Sequence, residues 1–285
     1  MVLGHEVSGE IVDIGSDVEG LRIGQLVAIS PSRPCKACEY CLRAQLNHCE
    51  NMRFYGSAMP FPHIHGAFQQ SIVADVSQCA PADGLQAAEA AMAEPLSVSL
   101  HAVKQAGNLV GKTVLITGCG PIGIMTILAA RRAGATKIIA TDLSEFTLEK
   151  ATLAGADVIH NVATNPESLS SLNVGKGQVD VHFECSGSET ALRCGVAALR
   201  PKGCLIQLGL GGDMSIPMQA LTAKEITLKG SFRFHEEFLT AVQMMQKGLI
   251  DVRPFVTHSF PLERVHEAFD AAMNRETALK VQITF

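Results

Sequence analysis

The sequence has no tryptophan and only 5% aromatic residues in 285, too few rings to stack bases along a nucleic-acid strand. A basic surplus is also missing. Lys plus Arg number 23 against 28 Asp plus Glu, a formal net charge of −5, and no basic cluster follows a phosphate backbone. Nucleic acid is therefore not the expected partner. No apolar run reaches the roughly 18–20 residues that span a bilayer. The opening MVLGHEVSGE has no charged-then-apolar signal. No membrane partner and a cytoplasmic location are expected. Repeats and low-complexity tracts are absent as well. What remains is 47% apolar and 18% charged, a composition that buries a real core over a length suited to two domains.

Cysteine is not scarce: there are nine. Cys35, Cys38, Cys41 and Cys49 form C-x2-C-x2-C-x7-C in a polar, Pro-bounded loop, and the other five are scattered. An odd count with one crowded group argues against a disulfide framework. Four thiolates at this spacing can close a tetrahedron around Zn2+, and a site with four sulfurs keeps no open position, so this metal reads as structural. An iron–sulfur cluster and free thiols are the other readings; the bacterial ferredoxin run ends in x3-C-P and this one does not.

Patterning divides the chain. Residues 1–98 read as short alternating β segments, such as 6–14 and 25–29, broken by Gly and Pro. After Glu94-Pro95 the pattern changes. Strands are predicted at 113–117, 137–141, 158–160, 179–184, 204–208 and 227–231, with helices at 122–133, 145–154 and 189–199 between them. That alternation gives the fold class as α/β, a doubly wound parallel sheet over residues 99–233. The segment EEFLTAVQMMQKGLI reads as an amphipathic helix within a C-terminal stretch, 234–285, that need not join the sheet.

Gly118, Gly120 and Gly123 in TVLITGCGPIGIMTIL have the G-x-G-x-x-G spacing after an apolar strand, with Pro121 and Ile122 opening a helix. The first glycine permits the turn, the second admits a pyrophosphate to the backbone and the third lets helix and strand pack closely. Asp142 ends the next strand, where a carboxylate can accept from both ribose hydroxyls and repel a 2′-phosphate. NAD is the expected cofactor, with NADP kept open by Lys150. The non-ligand reading is a plain strand-to-helix turn, with Asp142 as a helix N-cap.

GHEVSGEIVDIG, the four-Cys loop, AEPLSVSLHA and GCGPIG together resemble the zinc-dependent medium-chain dehydrogenases, in their polyol or sorbitol branch, along the whole chain. The resemblance implies an incomplete GroES-like β-barrel catalytic domain beside a Rossmann domain, and a second, catalytic zinc at His5, Glu6 and Glu94, Glu6 binding either directly or behind another ligand. Read alone, His5 and Glu6 are the start of a strand and Glu94 an acid before a Pro turn. Leu208, Gly209 and Leu210 resemble a nicotinamide-side turn, and Phe232 and Arg233 a position near cofactor and substrate. The segments NMRFYGSAMPFPH and KEITLKGSFRF resemble members that oxidise the sugar acid L-idonate at C5 to 5-keto-gluconate, hydride passing to the nicotinamide. Arg233 or Arg53 would then meet the carboxylate, the alternative being ion pairs. Other secondary alcohols such as sorbitol, xylitol or threonine remain the competing substrates. A homodimer or homotetramer, paired through a sheet edge near 216–227, is implied too. Relatives carry a leading segment with a further Cys zinc ligand. Since the chain begins just before GHE, it is expected to be a fragment, or else an inert NAD-binding product with an incomplete metal site.

Overall fold

The computed structural model describes all of residues 1–285. Two compact units emerge: Met1–Ser97 with Arg233–Phe269 and Val281–Phe285, and Val98–Phe232 with Asp270–Lys280. In chain order the elements are β1 (Val7–Glu10), β2 (Leu26–Ile29), β3 (Ser32–Arg33), α1 (Glu39–Leu42), β4 (Arg53–Phe54), β5 (Cys79–Pro81), α2 (Ala87–Ala90) and α3 (Ala93–Ala106). Then come β6 (Thr113–Thr117), α4 (Pro121–Arg132), β7 (Lys137–Asp142), α5 (Glu145–Leu153), β8 (Val158–Asn161), β9 (Val179–Glu184), α6 (Glu189–Ala198), β10 (Leu199–Gln207), α7 (Met218–Lys224) and β11 (Thr227–Gly230). The chain ends with α8 (Glu237–Gln246), β12 (Val256–Pro261), α9 (Val265–Met273) and β13 (Lys280–Thr284).

The first unit is built on a small antiparallel sheet, β1-β2-β5, around buried Val27, Ala28 and Ala80. The strand predicted at 6–14 stops at Glu10, because its partner β2 is only four residues long. Beyond it, Ile11 N donates to Gln25 O at 3.0 Å and Ile11 O accepts from Gly24 N at 2.7 Å, across a turn instead of a ladder. β1 hydrogen-bonds to β2 alone and is an edge of this sheet.

The second unit carries a six-stranded parallel sheet in the order β11-β10-β9-β6-β7-β8. Val114, Leu115 and Ile116 of β6 are wholly buried, as expected of a strand covered by helices on both faces. The strand order reverses between β6 and β9, and in such sheets ligands bind at the carboxyl ends of the strands beside the reversal. β10 begins at Leu199 rather than at the predicted 204. Its register against β9 shifts between Leu199 and Cys204, with Lys202 in the left-handed region at φ 61°, and this bulge hides the strand's start from a period-two pattern. Besides the one-turn helices α1 and α2 and the C-terminal α9, two helices escape the pattern. α3 contains Glu94-Pro95, which reads as a turn, yet Pro95 stands in the first turn, where its missing N–H goes unmissed. α7 is seven residues long and ends on Glu225 at φ 50°. No helix is long and apolar enough to cross a membrane.

Candidate metal and dinucleotide sites

The four-Cys loop closes on itself within the first unit. The Sγ atoms of Cys35, Cys38, Cys41 and Cys49 all lie within 4.8 Å of one another, with Cys35 and Cys41 at 3.9 Å. Sulfurs bound to one zinc at ~2.3 Å each would stand slightly under 4 Å apart, so the donor set fits that ion. Main-chain amides point at the sulfurs: Cys35 N–H donates to Cys49 Sγ at 3.2 Å and Cys38 N–H to Cys35 Sγ at 3.4 Å. The amides of Ala37 and Cys38 lower the Cys35 thiol to about 6. Burial pushes Cys41 up to about 12, so an ion would have to displace that proton.

A second group of donors forms in the same unit. Ligand atoms of His5, Glu6 and Glu94 lie within 4.8 Å of one another, and His5 Nε2 is 3.9 Å from Glu94 Oε1. One imidazole and two carboxylates make a three-ligand set of the kind that leaves a zinc position open. Glu94 sits in the first turn of α3, where the helix dipole favours a carboxylate. His5 is set by the backbone before it. Gly66, Phe68 and Ala67 amides donate to the carbonyls of Val2, Leu3 and Gly4 at 2.8–3.0 Å. A β-carbon on Gly66 would collide with the Leu3 and Gly4 carbonyls, and one on Gly56 would lie 2.8 Å from Gly4 O.

Phe54 forms a wall of this cluster. Its ring centroid is 5.5 Å from that of His5, and the Arg233 guanidinium lies 4.1 Å above it. Arg233 also reaches Met59 Sδ at 3.4 Å. Burial lowers its pKa and the Glu94 charge opposes that shift. Its backbone is left-handed, φ 53°, a strain that L residues accept where the side chain must be aimed. Arg53 is not brought here. It is exposed on β4 against Arg33, and strand alternation turns it from the face that Phe54 presents. Of the two residues that complete the cluster, Phe54 and Met59, neither stands out by type; only their place in NMRFYGSAMPFPH could have marked them.

In the second unit the glycine turn follows β6 and leads into α4. Gly118 has φ +86°, and a β-carbon there would lie 2.8 Å from Ser186 Cα; one on Gly123 would collide with Gly118 O. Gly120, the helix N-cap, is different: no atom lies within 4 Å of where its β-carbon would be. That open space in front of helix amides fits a pyrophosphate. Pro121 and Ile122 open α4. Asp142 Oδ2 accepts from Cys119 N at 2.6 Å, and Oδ1 from Leu143 N at 2.7 Å and Ser144 N at 3.1 Å. The carboxylate thus braces the turn while its remaining lone pairs can meet a ribose. Ser144, not Asp142, is the N-cap of α5. Leu208 and Gly209 are partly buried at the end of β10, Leu210 is 98% exposed, and Phe232 is exposed.

Comparison with known proteins agrees with this arrangement. The zinc-binding dehydrogenase family model matches residues 121–247, and the alcohol dehydrogenase GroES-like domain model residues 1–84. L-idonate 5-dehydrogenase (NAD(P)(+)) of Escherichia coli (strain K12) is 42% identical over 288 residues, covering 100% of this chain and 82% of that protein. Sorbitol dehydrogenase of Ovis aries is 36% identical over 287 residues, covering 99% and 80%. The crystal structure of L-idonate 5-dehydrogenase from Escherichia coli K-12 matches with a TM-score of 0.95 at 41% identity, over 100% of this chain and 82% of that one. With a Rossmann sheet, a GroES-like domain and relatives of this likeness along its whole length, the chain belongs to the zinc-dependent medium-chain dehydrogenases, oxidoreductases of polyols and sugar acids that work with zinc and NAD(P).

Proposed function

We propose that this enzyme oxidises the C5 hydroxyl of L-idonate, giving 5-keto-D-gluconate, with NAD as the preferred acceptor. The observation that carries the sugar-acid reading is Arg233, held over Phe54 beside His5. A guanidinium at that place offers a carboxylate a bidentate fork that a neutral polyol would not use. The 42% identical relative named for L-idonate supports the same substrate.

His5, Glu6 and Glu94 would hold the catalytic zinc, and Cys35, Cys38, Cys41 and Cys49 the structural one. When bound at the first site, zinc would supply Lewis acidity toward a substrate hydroxyl, and NAD would supply the hydride acceptor. The chain's own residues do the rest. Arg233 fixes one end of the substrate, Phe54 closes off water beneath it, and Gly120 leaves room for the pyrophosphate at the α4 N-terminus. Leu208, Gly209, Leu210 and Phe232 would flank the cofactor, and Asp142 at the end of β7 would disfavour a 2′-phosphate.

Assembly into a dimer or tetramer fits β11, whose four residues are all exposed at the sheet edge. A cytoplasmic location fits four cysteines gathered at metal-ligand spacing, a use of thiols that a reducing compartment favours. The test is absorbance at 340 nm with L-idonate, D-gluconate, sorbitol, xylitol and L-threonine, each with NAD+ and NADP+. L-Idonate with NAD+ is expected to give the highest kcat/KM. Turnover of neutral polyols with none of either sugar acid would overturn the reading and the role of Arg233 together.

A further inference from the structure

Glu184 ends β9 beside the reversal of strand order, and it is wholly buried. Its carboxylate gathers donors from three segments. Ser186 N donates at 2.8 Å, Gly187 N at 3.0 Å and 3.2 Å to the two oxygens, Gln207 Nε2 at 2.7 Å and Thr117 Oγ1 at 3.3 Å; Ser186 Oγ donates as well. Its main-chain oxygen accepts from Leu208 N and Gly209 N, both at 2.9 Å. Gln207 Nε2 donates onward to Gly209 O at 2.9 Å. One residue therefore ties the loop after β9 to the loop after β10.

Those loops touch backbone to backbone. A β-carbon on Gly209 would collide with Gly187 N, one on Gly211 with Gly187 O, and one on Gly118 would meet Ser186. The nearest approaches are main chain on main chain, and the hydrogen bonds that Glu184 receives hold the three loops in register. An apolar side chain of the same volume would leave the Ser186 and Gly187 amides and Gln207 Nε2 without their acceptor, so it is the carboxyl group and not its bulk that holds the loops. The same arrangement leaves Gln207 Oε1 buried without a partner, a cost accepted to keep the link between the two loops.

We propose that Glu184 is a positioning residue for the dinucleotide: by locking residues 185–187 to 208–211 and to the Gly118 turn, it preassembles the backbone that the cofactor meets. The inference rests on the proposed NAD-linked function for its ligand, and on the strand-order reversal for its place. Glu184 touches no reacting atom; it acts through Ser186, Gly187 and Gln207.

The test is NADH binding by fluorescence titration on the full chain, read beside the thermal midpoint, for Glu184→Gln and Gln207→Met. Glu184→Gln turns one acceptor into a donor facing other donors, and Gln207→Met cuts the link to the second loop while keeping its volume. We expect the NADH Kd to rise about 10-fold or more in the first and about 3-fold or more in the second, by the loss of one or two charge-assisted bonds. KM for NAD+ should rise with it, and kcat at saturating cofactor should fall less. Lowered melting points with NADH Kd within about 2-fold of the parent in whichever variant folds would overturn the proposal. NADH binding that weakens as expected, in an enzyme that oxidises no sugar acid, would uphold it and sink only the substrate assignment.

Discussion

Arg233 and Phe54 form a cation–π pair 4.1 Å from guanidinium to ring centroid, and the same ring stands 5.5 Å from His5. The pair orients a charge beside the His5, Glu6 and Glu94 donor group. Arg233→Met should therefore lower kcat/KM for L-idonate by roughly 10- to 100-fold, the worth of a charge-assisted contact. Sorbitol should lose less than about 3-fold. Equal losses on both substrates would show that Arg233 only holds the fold, and steady-state kinetics on the two substrates decide between these outcomes.

The thiols of the 35–49 loop lie within 4.8 Å of one another, and the loop has only α1 and short turns around them. Its order should therefore depend on the ion. Cys41→Ser is expected to reduce bound zinc from about two equivalents per chain to about one and to destabilise the first unit by several kcal/mol. Elemental analysis and calorimetry measure both. NADH affinity, which belongs to the second unit, should hardly change.

Gly120 and Gly123 should behave oppositely on replacement by alanine. A methyl at Gly120 enters open space at an ordinary φ of −65°, so the melting point should hold while NADH affinity falls by about 10-fold or more. At Gly123 the methyl collides with the Gly118 carbonyl, so stability itself should drop by about 2 kcal/mol or more. Paired melting and binding curves read the contrast. A Gly120→Ala protein that bound NADH as well as the parent would remove the pyrophosphate from this turn.

His182 is fully buried, its Nε2 2.9 Å from Thr117 Oγ1, and burial lowers its pKa from 6.5 to about 4 against the opposing pull of Glu184. Below pH 6.5 the unfolded chain takes up a proton that the folded chain refuses, so folding weakens as pH falls from 6.5 towards 4. The loss is at most on the order of 3 kcal/mol, and above pH 6.5 this contribution is absent. Denaturant midpoints at pH 7 and pH 5 should differ less in His182→Asn than in the parent.

The second unit was legible because its signals are local. Strand β6, the three glycines and Asp142 follow one another in sequence, and each turn is built from neighbours. The Cys loop was legible for the same reason. The His5 cluster was reached by resemblance to a family: its donors come from residues 5, 6 and 94, and no local pattern links them. Arg233 joins them from still farther along the chain, and the sequence offered Arg53 with equal force. The pairing of β4 with β3 and the stacking of Arg233 over Phe54 separate the two arginines. Glu184 went unread because the five donor atoms around its carboxylate lie on three segments, and a buried carboxylate has no signature in a strand otherwise made of apolar and polar residues.

The carbonyls of Val2, Leu3 and Gly4 are gripped by the amides of Gly66, Ala67 and Phe68, with Gly56 and Gly66 too crowded to bear a side chain. Side chains at positions 2 and 3 contribute nothing to that grip, so exchanges there should be tolerated. The distant hairpin-like stretch around 56–68 instead dictates where the imidazole of His5 stands. Directed evolution aimed at the surroundings of the His5 cluster would accordingly find its room to manoeuvre at positions 2 and 3, and its rigid boundary at Gly4 and at two glycines more than fifty positions downstream.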